Sequence, residues 1–161
     1  MSYRLKMLIG GGLGVLWALA VVAIPGMGPQ PFIPVNLALI YAFAPTGLVM
    51  TLMILSVAIR RFRSDAHGDG TAFPAGSGGD IDQRVLSNTV EQMVLALLLW
   101  PFAAMQLGAV TLITLGVAMT LARLLYWLGY HVSPTLRLFG WSASFYPTIF
   151  AAVWCLWRLV T

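Results

Sequence analysis

Seven residues in the second half of the chain have types and spacings that could do chemistry. Arg84, Asn88 and Glu91 stand at i, i+4 and i+7, so a helix carries all three on one face. Arg123, Tyr126 and Tyr130 stand at i, i+3 and i+7, again one face, and Arg137 follows Tyr130 after seven residues. Guanidinium groups recognise carboxylates with paired N–H donors, a carboxylate recognises an ammonium, and phenols add hydrogen bonds. Such a set suits a small zwitterionic or polyanionic ligand. It lacks a Ser-His-Asp arrangement, a phosphate-cradling loop and a metal cluster; His67 and His131 have no partners at ligand spacing.

The elements that hold these residues are read from composition. Of 161 residues, 60% are hydrophobic and only 9% charged, against about 25% charged in a soluble domain. This is an all-α integral membrane protein by composition, organised as one compact domain. The net charge of +4 reflects topology rather than nucleic acid, because the bases are not interleaved with exposed aromatics or polar loops. A single cysteine, Cys155, excludes an internal disulfide framework.

Four apolar stretches stand out: 7–24, 36–59, 93–122 and 138–157. The third is uncharged for 30 residues, too long for one span of roughly 20 residues. With its polar flanks it predicts two helices joined by a tight turn near Pro101 to Met105. Five helices follow, at about 5–24, 36–62, 83–102, 105–130 and 135–159. "PGMGPQPFIP" is a short extramembrane connection, and "SDAHGDGTAFPAGSGGD" a polar, Gly-rich and mobile one.

With five spans, Arg4, Lys6, Arg60, Arg61, Arg63, Arg84 and Arg137 fall on one side and Arg158 on the other. The positive-inside rule makes the crowded side cytoplasmic. The first helix has a second reading as a signal peptide, from Arg4, Lys6, an apolar run and "ALA" at 18–20; cleavage would leave four helices. Gly10 and Gly14 in "GGGLG" have helix-contact spacing. Glu91 is the one acidic residue expected within a span, where a charge costs about 3 kcal/mol or more at the bilayer centre. Arg123 is its expected ion-pair partner. The bland readings are that this pair only locks the bundle, that Arg84 and Asn88 mark a solvated helix end, and that Arg137 and "IRRFR" anchor the membrane interface.

Together, "RVLSNTVE" (84–91) and "RLLYWLGYHVSPTLR" (123–137) resemble signatures of the MAPEG family, the membrane-associated proteins of eicosanoid and glutathione metabolism. The first is similar to the family's Arg-x-x-x-Asn-x-x-Glu pattern and the second to its Arg-x-x-Tyr-x-x-x-Tyr stretch with a further Arg. "IRRFR" resembles the basic end of the family's first helix. The resemblance covers roughly residues 40–157 and leaves 1–35 as an extra transmembrane helix and Pro-rich connection before a four-helix membrane domain at 36–161.

The resemblance implies a bacterial-type member in the inner membrane. It implies a homotrimeric four-helix bundle binding glutathione as co-substrate between subunits, on the cytoplasmic side. By matched position, Arg84, Asn88, Glu91, Tyr126 and Tyr130 would contact glutathione. One of Arg60, Arg61 and Arg63 would join them, with Arg60 preferred. Arg123 would support Glu91, and Arg137 would stabilise the thiolate. Ser87, Gln92 and Leu138 depart from some members, and Leu138 argues against prostaglandin isomerase chemistry. The implied activity is a glutathione-dependent transferase or peroxidase acting on lipophilic electrophiles. Two alternatives stand beside it: a non-catalytic lipid-binding or scaffold protein on the same fold, and a small proton-coupled transporter using Glu91.

Overall fold

The computed structural model describes residues 2–161. Five long helices follow one another: α1 (Tyr3–Ala23), α2 (Val35–Phe62), α3 (Gly78–Leu107), α4 (Ala109–Val132) and α5 (Pro134–Val160). A single 3-10 turn, Pro25–Met27, lies in the first connection. All five helices are long and apolar enough to cross a membrane. Backbone groups cannot find water in hydrocarbon, so helices that satisfy them internally are one of the two solutions open to such a chain.

Local chemistry sets the helix ends. Ser77 begins α3, its hydroxyl accepting from the backbone N–H of Asp80 at 3.3 Å. Ser133 does the same for α5, accepting from Leu136 N–H at 3.2 Å, with Pro134 in the first turn. The turn between α3 and α4 is not at Pro101, as the sequence predicts, but at Gly108. Proline removes one N–H donor and crowds the carbonyl four residues back, which membrane helices tolerate; a φ of +82° at residue 108 favours glycine and breaks the helix there. The start of α3 also moves, from about 83 to Gly78, so Asp80 and Asp82 join Glu91 in that helix.

Small residues let the helices approach closely. Ala38, Ala42, Ala96, Ala118 and Ala151 are buried between them. A Cβ on Gly116 would strike the backbone of Ala42, which fixes α4 against α2. Trp100 fills the middle of the bundle, stacked on Phe43 at 4.9 Å between centroids and donating its indole N–H to Thr148 at 3.2 Å. Leu8, Leu48, Leu98 and Leu156 point outward, as lipid-facing residues do. Helix α1 lies along α5, where a Cβ on Gly10 would meet Thr135 and Phe139 backbone and one on Gly14 would meet Ser142. Both glycines therefore form a helix-contact seam.

The connection between α2 and α3 is tied back to α2. Arg61 donates to the carbonyls of His67 and Thr71, both at 3.1 Å, and lies over the Phe73 ring. Within it, the Thr71 hydroxyl and N–H hold the Asp69 carboxyl below the usual carboxylate range.

Candidate functional site

The antiparallel order brings the end of α2, the start of α3, the end of α4, and the starts of α5 and α1 to one end of the bundle. Nearly all the basic residues are there. Arg123 on α4 is fully buried. It donates to Asn88 Oδ1 on α3 at 3.0 Å, and to the Gly140 carbonyl at 3.1 Å and the Ser144 hydroxyl at 2.5 Å on α5. Its guanidinium carbon lies 4.5 Å from the centre of the Tyr126 ring. Its Nε is buried and has no hydrogen-bond partner among the described residues.

The expected ion pair between Glu91 and Arg123 does not form. Asn88 stands between them, accepting from Arg123 and donating from Nδ2 to Glu91 Oε2 at 3.0 Å. The reason is direction: Arg123 is turned into the core towards α5, and Glu91 lies on the exposed face of α3. Among the described residues, the two ion pairs are Arg60–Asp82 at 2.6 Å and Arg84–Asp80 at 2.9 Å.

From Arg123 the contacts continue outward. The hydroxyls of Tyr126 and Tyr130 are 3.3 Å apart, and their rings meet edge to face. Arg137 covers the Tyr130 ring at 5.0 Å. Its Nη2 donates to the hydroxyl of Tyr3, on α1, at 2.8 Å. Glu91, Asn88, Arg123, Tyr126, Tyr130 and Arg137 are thus joined in one run of contacts crossing α3, α4 and α5.

Two glycines make the α4–α5 approach possible. A Cβ on Gly129 would collide with the backbone of Arg137, and one on Gly140 with the backbone of Tyr126. The guanidinium and the two phenols are therefore carried on helices in backbone contact, a rigid way to hold charged groups.

Arg84 and Arg60 stand apart from this run. Arg84 is held by Asp80 one turn earlier on its own helix, with its side chain 59% exposed. Arg60 is held by Asp82, which is itself buried and also accepts from Ser56 at 2.6 Å and Trp127 Nε1 at 2.8 Å. Asp82 thereby ties α2, α3 and α4 together. Arg63 lines a polar cavity of about 540 Å³ with Arg60, Ser64, His67 and Ser77.

Sequence reasoning missed Asp82, Ser144, Gly129, Gly140 and Tyr3. For Asp82 a signal existed: "SGGD" at 77–80 is a Ser-x-x-Asp capping pattern that starts the helix earlier. With that start, Asp82 shares a face with Val85 and Thr89, both buried. Tyr3 had no such signal, because its partner lies in the last helix.

A cavity of about 1100 Å³ lies at the opposite end, lined by Val22, Met27, Gln106, Phe150, Trp154 and Arg158 among others. Neither it nor the polar cavity includes Glu91, Tyr126, Tyr130 or Arg137.

Compared with known proteins, residues 38–157 match a family model, the MAPEG family. No curated protein and no solved structure matches the chain. Helix α1 lies wholly outside the matched residues.

Proposed function

The chain belongs to the MAPEG family, and from that premise we propose that it is a glutathione-dependent membrane transferase or peroxidase acting on lipophilic electrophiles. The observation that carries the reading is the run from Glu91 to Arg137. It presents two guanidiniums, a carboxylate, an amide and two phenols, and neither guanidinium is neutralised by a carboxylate within the chain. The donor set fits glutathione, which offers two carboxylates and an ammonium to complement it. The orphaned Nε of buried Arg123 is consistent with a site that is completed by something else.

In this reading Glu91 and Asn88 hold the ammonium end, and Arg84, Tyr126 and Tyr130 hold carboxylate or amide groups. Arg60, pinned by Asp82, contributes through the exposed part of its guanidinium. Glutathione supplies a thiol, which reacts as its thiolate, and a thiol has an ordinary pKa of about 8.5. Arg137 lowers the cost of that negative charge, because a fixed guanidinium favours the ionised form. No nucleophile of the protein's own is required. Lipophilic electrophiles would arrive laterally from the bilayer.

A homotrimer with the basic end in the cytoplasm, in the inner membrane of a bacterium, belongs to the same proposal. Its support is the outer face of α3. Arg84, Ser87, Glu91, Val94, Leu98, Pro101 and Met105 repeat at intervals of three and four, and all are exposed. That is the spacing of a helix–helix seam, and on a single chain it has no partner. A carboxylate such as Glu91 on a lipid-facing helix is costly, so covering it with further copies is favourable.

The test is calorimetric titration of purified protein with glutathione, followed by conjugation assays. Wild type should bind, and Arg137→Ala should bind with similar affinity and lose most turnover. Absence of binding in wild type would sink the reading. The apolar cavity at the opposite end favours a second reading, a non-catalytic lipid-binding protein on this fold. Glutathione binding without turnover across varied electrophiles would select it.

A further inference from the structure

We propose that Tyr3, on the helix outside the family match, is a positioning residue for Arg137 and makes α1 part of the site. The inference rests on the reading of Arg137 given above and adds a residue from a different helix.

Arg137 is held at two points. Tyr130 of α4 lies under its guanidinium, and the Tyr3 hydroxyl of α1 accepts from its Nη2 at 2.8 Å. A guanidinium has five N–H donors in one plane. An edge fixed by a phenol oxygen and a face fixed by a ring leave the plane little freedom to turn. Arg137 makes no other side-chain hydrogen bond among the described residues, so its remaining donors point away from Tyr3 and stay available to an anion.

Such fixing matters because a long side chain loses rotamer freedom when it meets a ligand, and arginine is among those that lose most. Prior restraint by the protein removes part of that cost from the binding or reacting step. The restraint needs α1 in a definite place, and the seam supplies it. Gly10 and Gly14 put the α1 backbone against α5, and the Ser142 hydroxyl lies 3.4 Å from the Gly10 carbonyl. Gly10 lies against the start of α5, so Tyr3, two turns earlier on α1, stands just beyond that start, where the Arg137 side chain reaches back to its hydroxyl. The Ser2 hydroxyl caps α1 at Leu5 N–H, so Tyr3 stands in an ordered first turn.

The experiment compares full-length wild type and Tyr3→Phe in lipid nanodiscs. Glutathione affinity is read by calorimetry, and kcat/KM with an activated aryl halide is read across pH. Tyr3→Phe should keep glutathione affinity within about twofold and melt as wild type does. Its kcat/KM near neutral pH should fall about tenfold, the scale of a small misplacement of a catalytic group. The rising limb of its profile should move to higher pH, because a loosely held guanidinium stabilises the thiolate less. Gly14→Leu, which pushes α1 off α5, should show the same displacement. If Gly14→Leu fails to fold, Tyr3→Phe decides alone. An unchanged rate and profile in Tyr3→Phe, with wild type active, overturns the role of Tyr3 only. A faster Tyr3→Phe also overturns it, since Tyr3 would then hold Arg137 off the site. A wild type that binds no glutathione overturns the reading of the pocket and this inference with it.

Discussion

Around Asp82, a buried carboxylate accepts from Arg60, Ser56 and Trp127, and its charge is cancelled inside the chain. Around Arg123, at the same end of the bundle, a buried guanidinium meets neutral oxygens and a ring, and its Nε has no hydrogen-bond partner among the described residues. Both clusters join three helices. The first is complete as it stands. The second carries surplus positive charge towards Arg137, with Glu91 held off by Asn88. A closed cluster locks a fold; one with unspent charge is poised for an anion. Under the proposed function, the first cluster is structural and the second is the one that meets the ligand.

The largest effect expected of that contrast is at Arg137. Arg137→Ala should lower conjugation turnover about 100-fold or more, the scale of removing one charge stabiliser, with little change in melting temperature. Steady-state kinetics beside a thermal melt in detergent would check both halves. Next comes Asp82→Asn, which weakens a buried cluster whose arginine partner is partly exposed. It should cost about 2 kcal/mol of stability and weaken glutathione binding only about twofold, through the loosened Arg60. A loss of binding as large as that from Glu91→Gln would break the distinction between the two clusters. Glu91→Gln keeps the shape and removes the charge, so glutathione should bind about tenfold more weakly by calorimetry, with stability unaltered. The smallest effect belongs to Arg84→Ala. Arg84 is exposed and paired within its own helix, so affinity should fall only about threefold and the melting temperature should hardly move. A large loss would show that Arg84 leaves Asp80 when ligand arrives.

Much of the fold was legible because membrane helices are written in long apolar runs. All five appear close to their expected places. The ends were harder. Pro101 looked like a turn because proline usually stops helices in water, whereas this helix runs on to Gly108. Ser77 caps α3 well ahead of its apolar run, and so brings Asp82 into the helix. Within the site, the helical spacings that grouped Arg84 with Glu91 and Arg123 with Tyr130 follow from helix geometry alone. They could not say which group faces which across helices. Two opposite charges suggested a direct pair, yet rotation of α3 put the amide of Asn88 in between. The pairing of Arg60 with Asp82 and of Arg137 with Tyr3 depends on tertiary approach, which glycines at 129 and 140 and at 10 and 14 permit. Small residues give no periodic signal strong enough to reveal such approaches.

The glycine seam also sets an order of assembly. Helix α1 is synthesised well before α5, which carries the surface it docks on. Until α5 is inserted, Gly10 and Gly14 have only lipid or passing neighbours to pack against. Closing α1 on α5 spans the greatest separation in sequence among these helices, and such contacts form slowly. Arg137 therefore gains its Tyr3 partner only once α1 has docked on α5.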